Sequence, residues 1–166
     1  MPKIQSITPC LWFDHQGEDA AKFYVSVFGE GSKITGISRY TDAGHEIHGR
    51  PAGSVMTVAF ELQGHPFTAL NGGPIFKFNE AISLQVMCDT QEQIDYFWQK
   101  LGEVGDPRAQ QCGWLKDKFG LSWQIAPTLI PKLMTDPDPA KTSRVMNAVL
   151  KMKKIDIAAI ERAYRG

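Results

Sequence analysis

The chain has 166 residues, a length that fits one domain or two small halves fused into one. Its 43% hydrophobic and 22% charged content is that of a globular protein and excludes general disorder. Eighteen basic and eighteen acidic side chains cancel, so no global field recruits nucleic acid or an anionic membrane. No apolar run approaches the ~20 residues needed to cross a bilayer. The start, Met1-Pro2-Lys3-Ile4-Gln5-Ser6, lacks the apolar stretch of a signal peptide. Cys10, Cys88 and Cys112 form no CxxC pair or disulfide framework, and the expectation is a cytoplasmic protein with free thiols.

In chain order, Ile7 to Phe13 reads as a strand, and Pro9 within it argues for an edge or a bulge. Ala20, Phe23, Tyr24 and Val27 follow at helical spacing, with Gly29 as a stop. A strand around Lys33 to Tyr40 leads into a Gly/His/Asp-rich loop. Ser54 to Leu62 is a long strand that turns through Gln63-Gly64-His65-Pro66 into Phe67 to Asn71, and Pro74 ends the pairing. The pattern then starts again. Ile82 to Cys88 is a strand whose Leu84, Val86 and Cys88 face a helix while Ser83, Gln85 and Met87 face away. Thr90 and Gln93 form a capping box, and Ile94, Phe97, Trp98 and Leu101 repeat the helical stripe up to Gly102. Gln111 to Leu115 passes through Lys116 to Gly120 into Leu121 to Ile125, and Pro127 closes this hairpin as Pro74 closes the first. The order strand–helix–strand–strand–strand occurs twice, which reads as internal duplication.

Beyond Pro127, Pro131, Pro137 and Pro139 punctuate a short linker, and Asp138-Pro139 reads as a helix start. Val145, Ala148, Val149 and Met152 keep helical spacing, and Ile155 to Tyr164 is a further helix. From Ala140 onward there are seven basic and two acidic residues. No aromatic interleaving or groove-reading motif accompanies them, so the expected role is a solvated outer face, or a helix packed on the acidic body or on a second subunit, without nucleic-acid contact.

Several segments together resemble one known family. They are Thr8-Pro9-Cys10-Leu11-Trp12-Phe13, Phe23-Tyr24-Val25-Ser26-Val27-Phe28, Phe67 through Pro74 and Cys112 through Gln124. The chain resembles the PhnB-like, or 3-demethylubiquinone-9 3-methyltransferase-like, group of the vicinal-oxygen-chelate superfamily. The resemblance covers about residues 3–127. It implies an α+β, glyoxalase-like fold: two βαβββ modules, 1–74 and 75–130, around a shared cavity, followed by a helical extension, 131–166. In that superfamily's metalloenzymes, first and last strands of each module hold a divalent ion that polarises vicinal oxygens.

Alternation puts Thr8, Cys10 and Trp12 away from the first helix, and Ser83, Gln85 and Met87 in the matching places of the second module. Counting back three from Pro74 and Pro127 gives Asn71 and Gln124. The ligand places thus carry Thr8, Asn71, Ser83 and Gln124, with neither imidazole nor carboxylate, which leaves a divalent ion without charge compensation. No metal and no cofactor is expected. His45-x-x-His48 lies in a loop without a third ligand. Asn71-Gly72-Gly73-Pro74 is a connector after a hairpin, unlike the glycine-rich strand-to-helix turn of a typical S-adenosylmethionine site. Cys112 and Lys116 are expected on one strand face, where a neighbouring cation would favour a nucleophilic thiolate; the plain alternative is a small buried hydrophobe.

The expected function is binding of a small aromatic or apolar molecule by Trp12, Asn71, Gln85, Trp114 and Gln124. Trp12 and Trp114 serve as flat walls, and the amides orient polar atoms. A divalent-metal lyase, transferase or dioxygenase of the same superfamily, and a dimeric scaffold with a vestigial cavity, stay open as alternatives. Open strand edges predict a homodimer.

Overall fold

A computed structural model describes residues 4–166; Met1 to Lys3, part of the start read above as no signal peptide, lie outside the described residues. The chain divides into two units, Met1–Lys77 and Phe78–Gly166.

The first unit runs β1 (Cys10–Phe13), α1 (Gly17–Phe28), β2 (Lys33–Arg39), a one-turn α2 (His45–His48), β3 (Val55–Leu62) and β4 (His65–Asn71). Its sheet has the order β1-β4-β3-β2, with β1 parallel to β4 and the other pairs antiparallel. Pro9 precedes β1, which is an edge strand as a missing donor requires. The β3–β4 hairpin closes on Gln63 and Gly64, both at positive φ (46° and 83°), the two-residue turn whose twist matches that of the strands it joins. Leu11, Phe13, Val58, Phe60, Leu62 and Ala69 from the sheet are buried, as are Ala20, Tyr24 and Val27 from α1. Each large side chain in this layer contributes roughly 1.5–3 kcal/mol by leaving water. Phe23, placed on the helix stripe by its spacing, is half-buried.

The second unit runs β5 (Leu84–Cys88), α3 (Gln91–Gly102), a 3₁₀ turn (Pro107–Ala109), β6 (Trp114–Lys116) and β7 (Ser122–Pro127), then α4 (Leu129–Met134), α5 (Pro139–Val149) and α6 (Ile157–Arg165). The sheet order is β5-β7-β6, again with the first strand parallel to the last. The Thr90–Gln93 capping box is present: the Thr90 hydroxyl accepts from Gln93 N–H, and Gln93 Oε1 accepts from Thr90 N–H, both at 3.3 Å. Ile94 and Leu101 of the stripe are buried, whereas Phe97 and Trp98 are half-buried.

Two expectations for this half need correction. The strand expected between helix and hairpin is replaced by the 3₁₀ turn at Pro107, so among the described residues the second unit carries three strands where the first carries four. Gln111 to Gly113 do not extend β6 either. Cys112 (φ 54°) and Gly113 (φ 85°) form a turn, and a Cβ on Gly113 would lie 2.8 Å from the Ile125 carbonyl oxygen. Cys112 therefore does not share a strand face with Lys116.

The C-terminal segment builds into this second unit. Met152 and Lys153 carbonyls accept from Cys112 and Gly113 N–H, each at 2.8 Å. The Gln91 side chain bonds Ile155 O and Ile157 N, and Val145, Ile155 and Ile160 are buried. Asp138 caps α5 by accepting from Ala140 N–H at 2.8 Å, with Pro139 in the first turn. The expected linker contains α4, in which Pro131 falls within the first turn, where its missing N–H has no partner to lose. The fold is α+β and glyoxalase-like, with a helical C-terminus.

Candidate functional site

In the second unit, alternation and register assemble one sheet face. Leu115, Trp123 and Ile125 are buried on the side of α3, so their neighbours Trp114, Lys116, Ser122, Gln124 and Ala126 turn to the other side. Cross-strand partners share a face, and Gln85 pairs with Gln124, Gln124 with Trp114, Ser122 with Lys116, and Met87 with Ala126. The result is three rows running across the strands. One is apolar (Met87, Ala126), the middle one joins two amides to an indole (Gln85, Gln124, Trp114), and the last is polar (Ser122, Lys116). Gln124 Nε2 donates to Ser83 Oγ at 2.7 Å, and Gln124 Oε1 accepts from Gln85 Nε2 at 3.3 Å. Three sequence-derived site residues, Gln85, Trp114 and Gln124, are thus brought together, with Ser83 beside them.

The polar row holds two further features. Lys116 Nζ pairs with the Glu80 carboxylate, and that contact holds the Glu80 carboxyl below the usual carboxylate range. Ser122 Oγ is buried and has no hydrogen-bond partner among the described residues. Strand alternation alone places Ser122 on this face; its lack of a partner has no sequence signal. The opposite side of the hairpin is closed by the buried Asp117 carboxylate, which accepts from Phe119 N, Leu121 N and Trp123 Nε1 at 2.8, 3.1 and 2.8 Å.

In the first unit, Trp12 stands against the chain that follows β4. Its Nε1–H donates to Gly73 O at 2.8 Å, and its ring meets Phe76 edge-on at 4.9 Å. Asn71 lies elsewhere. It shares the α1 side of the sheet with Ala69, is 6% exposed, accepts from Gly17 N–H at 2.7 Å and donates to Val55 O at 3.1 Å. The matching of Asn71 with Gln124 is corrected by register: Cys10 pairs with Thr68 as Gln85 pairs with Gln124, so Thr68 occupies the corresponding place. Counting from the prolines shifted the first hairpin by an odd number of residues, which reverses the face.

Asn71 lines a pocket of about 370 Å³ together with Arg50, Ser54 and His15. Arg50 is engaged there by Asp14, whose carboxylate and carbonyl both accept from Nη2. Sequence reasoning missed Arg50, since its partner lies 36 residues away.

The donor set does not fit a divalent ion. Asn71 spends both ends of its amide on backbone groups, and Ser83, Gln85 and Gln124 are neutral and bonded to one another. Among the described residues no three His, Cys, Asp or Glu side chains converge.

A family model described as 3-demethylubiquinone-9 3-methyltransferase matches residues 5–126. Among solved structures, a putative 3-demethylubiquinone-9 3-methyltransferase, PhnB protein, from Bacillus cereus is 36% identical, with 75% of this chain and 100% of that one covered and a TM-score of 0.62. A protein from Pseudomonas aeruginosa shares the fold at 17% identity, with 75% and 98% covered and a TM-score of 0.57. No curated protein matches the chain.

Proposed function

The chain belongs to the 3-demethylubiquinone-9 3-methyltransferase family, the PhnB-like group of the vicinal-oxygen-chelate superfamily, and from that premise we propose that it binds a small, flat aromatic or apolar molecule on the second sheet's face opposite α3, without resident metal or organic cofactor. The observation that carries the reading is the register that sets Trp114 beside Gln124 and Gln85 in one row, next to Met87 and Ala126. An indole beside an apolar row offers stacking and burial, and two amides offer donors and acceptors to fix orientation. Methyl transfer, the activity in the family's name, gains no support from the sheets. Both are mixed, whereas a typical S-adenosylmethionine site uses a parallel sheet.

The test is a titration with 2-naphthamide, followed by the indole and side-chain amide resonances of the ¹⁵N-labelled full chain. Saturable shifts at Trp114, Gln85 and Gln124, weakened roughly tenfold by Trp114→Ala, are expected for loss of a stacking surface. Absence of any shift at millimolar probe, or indifference to Trp114→Ala, overturns the reading. One divalent ion per chain retained through dialysis overturns its metal-free part. We assign the same protein a homodimeric state, because β1 and β5 are edge strands; light scattering showing a monomer at micromolar concentration overturns that assignment.

A further inference from the structure

The polar row next to the amides carries more information about the ligand than the amides do. Ser122 is 1% exposed and its hydroxyl has no partner among the described residues, although buried hydroxyls are as a rule hydrogen-bonded. Its cross-strand neighbour is Lys116, a cation whose side chain is 25% exposed. Lys116 is held by Glu80, itself 63% exposed and carried on a segment outside any strand or helix. Asp106, whose carboxylate also feels the Lys116 charge, is bound through both oxygens by Arg108, and the buried Asp117 carboxylate is taken up by Phe119 N, Leu121 N and Trp123 Nε1. Glu80 is thus a loosely anchored carboxylate on a cation that stands beside an unsatisfied hydroxyl. Two residues along each strand lie the amides and the indole, and two further along β5 and β7 lie Met87 and Ala126. Each step is roughly 7 Å, the scale of one fused ring pair.

We infer that this face takes an aromatic anion, a carboxylate or phenolate on a flat ring system. Its ring lies along Trp114 and its charged oxygen replaces Glu80 on Lys116 while accepting from the Ser122 hydroxyl. The inference rests on the ligand-binding reading above and adds the charge of the ligand and the residues that read it. Glu80 occupies the anion's place in the free protein and sets the affinity by competing for it.

The experiment compares 2-naphthoate with its neutral isostere 2-naphthamide on the full chain, by the same resonances, in the parent protein, Glu80→Gln and Lys116→Met. Glu80→Gln removes the competing charge and should tighten naphthoate severalfold. Lys116→Met keeps the stem and removes the charge, and should weaken naphthoate roughly tenfold, the factor for one charge-assisted contact. Ser122→Ala should weaken naphthoate in the same sense. Naphthamide affinity should stay within about twofold in all three, which also reports that the face is intact. Naphthamide binding without naphthoate binding overturns the anion inference and leaves the ligand face standing. Naphthoate binding that ignores both charge changes does the same. Failure of both probes to bind overturns the two together.

Discussion

Asn71 and Gly17 are joined by a hydrogen bond of 2.7 Å from the Gly17 N–H to Asn71 Oδ1, which ties the end of β4 to the first turn of α1. Gln16 contributes no side-chain cap, so a strand residue 54 positions away satisfies one of the helix's open donors. The other end of the amide holds Val55 O, and the Asn71 carbonyl accepts from Tyr40 Oη–H at 2.7 Å. Replacing Asn71 with Ala leaves a buried donor and acceptor unpaired and should cost about 1–3 kcal/mol. Thermal denaturation should show a Tm lower by roughly 3–10 °C with 2-naphthamide affinity unchanged. A Cβ on Gly17 would come 2.8 Å from Asn71 Oδ1, so Gly17→Ala should destabilise through the same contact, and the double variant should lose less than the sum.

Gly72 is required for space, not for its backbone angle. A Cβ there would lie 2.2 Å from the Trp12 ring, and its φ is not in the left-handed region. Gly72→Ala should drive the indole off the chain and break its bond to Gly73 O, with a stability loss of about 1–3 kcal/mol from overpacking. The Trp12 indole resonance, displaced by its carbonyl acceptor in the parent, should move toward the position of a water-bonded indole.

The Arg50 guanidinium beside Asp14 holds its carboxyl below the usual range against the opposing effect of desolvation, with a smaller contribution from His15. A carboxyl depressed in the folded state contributes stability that is complete above its unfolded value, about 3.9, and is lost as pH falls through the folded one. Carbon-detected titration of Asp14 should therefore give a midpoint below that of a free peptide. Arg50→Met should raise the midpoint and flatten the acid limb of the stability profile. A midpoint that ignores Arg50→Met would show that the pair contributes nothing.

The cysteines should separate by rate. Cys88 is 1% exposed, and burial, assisted by Asp89, pushes its thiol up to about 11, so at neutral pH it is neither reachable nor ionised. Cys10 is exposed and Cys112 half-buried. A disulfide reagent on the native chain should modify Cys10 first and Cys88 only on unfolding. Peptide mass mapping of the time course reads the order directly.

Much of the fold is legible from local chemistry. The two amphipathic stripes, the Thr90–Gln93 box, the Asp138 cap and the Gln63-Gly64 turn each depend on residues within a few positions of one another, and each forms. Alternation within β5, β6 and β7 is local too, and it placed Gln85, Trp114 and Gln124 on one face. The strand expected across Gln111 to Gly113 failed because that turn is held by Met152 and Lys153, some forty residues on. Composition carries no signal for such a contact.

By itself, then, the sequence determined the helices α1, α3, α5 and α6 and the two hairpins, because hydrophobic periodicity and capping act over one or two turns. Tertiary structure decided register. Thr68, not Asn71, stands opposite β1 where Gln124 stands opposite β5, and this follows from backbone pairing between strands 58 residues apart, Cys10 with Thr68. A strand's side chains alternate with a period of two, so an odd shift in that pairing exchanges the faces. It turned Asn71 from an open-face amide into the cap of α1, and only long-range packing chooses between them. In the second unit the pairing of β6 with β7 sets Ser122 beside Lys116, and only the packing around them leaves a buried hydroxyl without a partner among the described residues next to a cation.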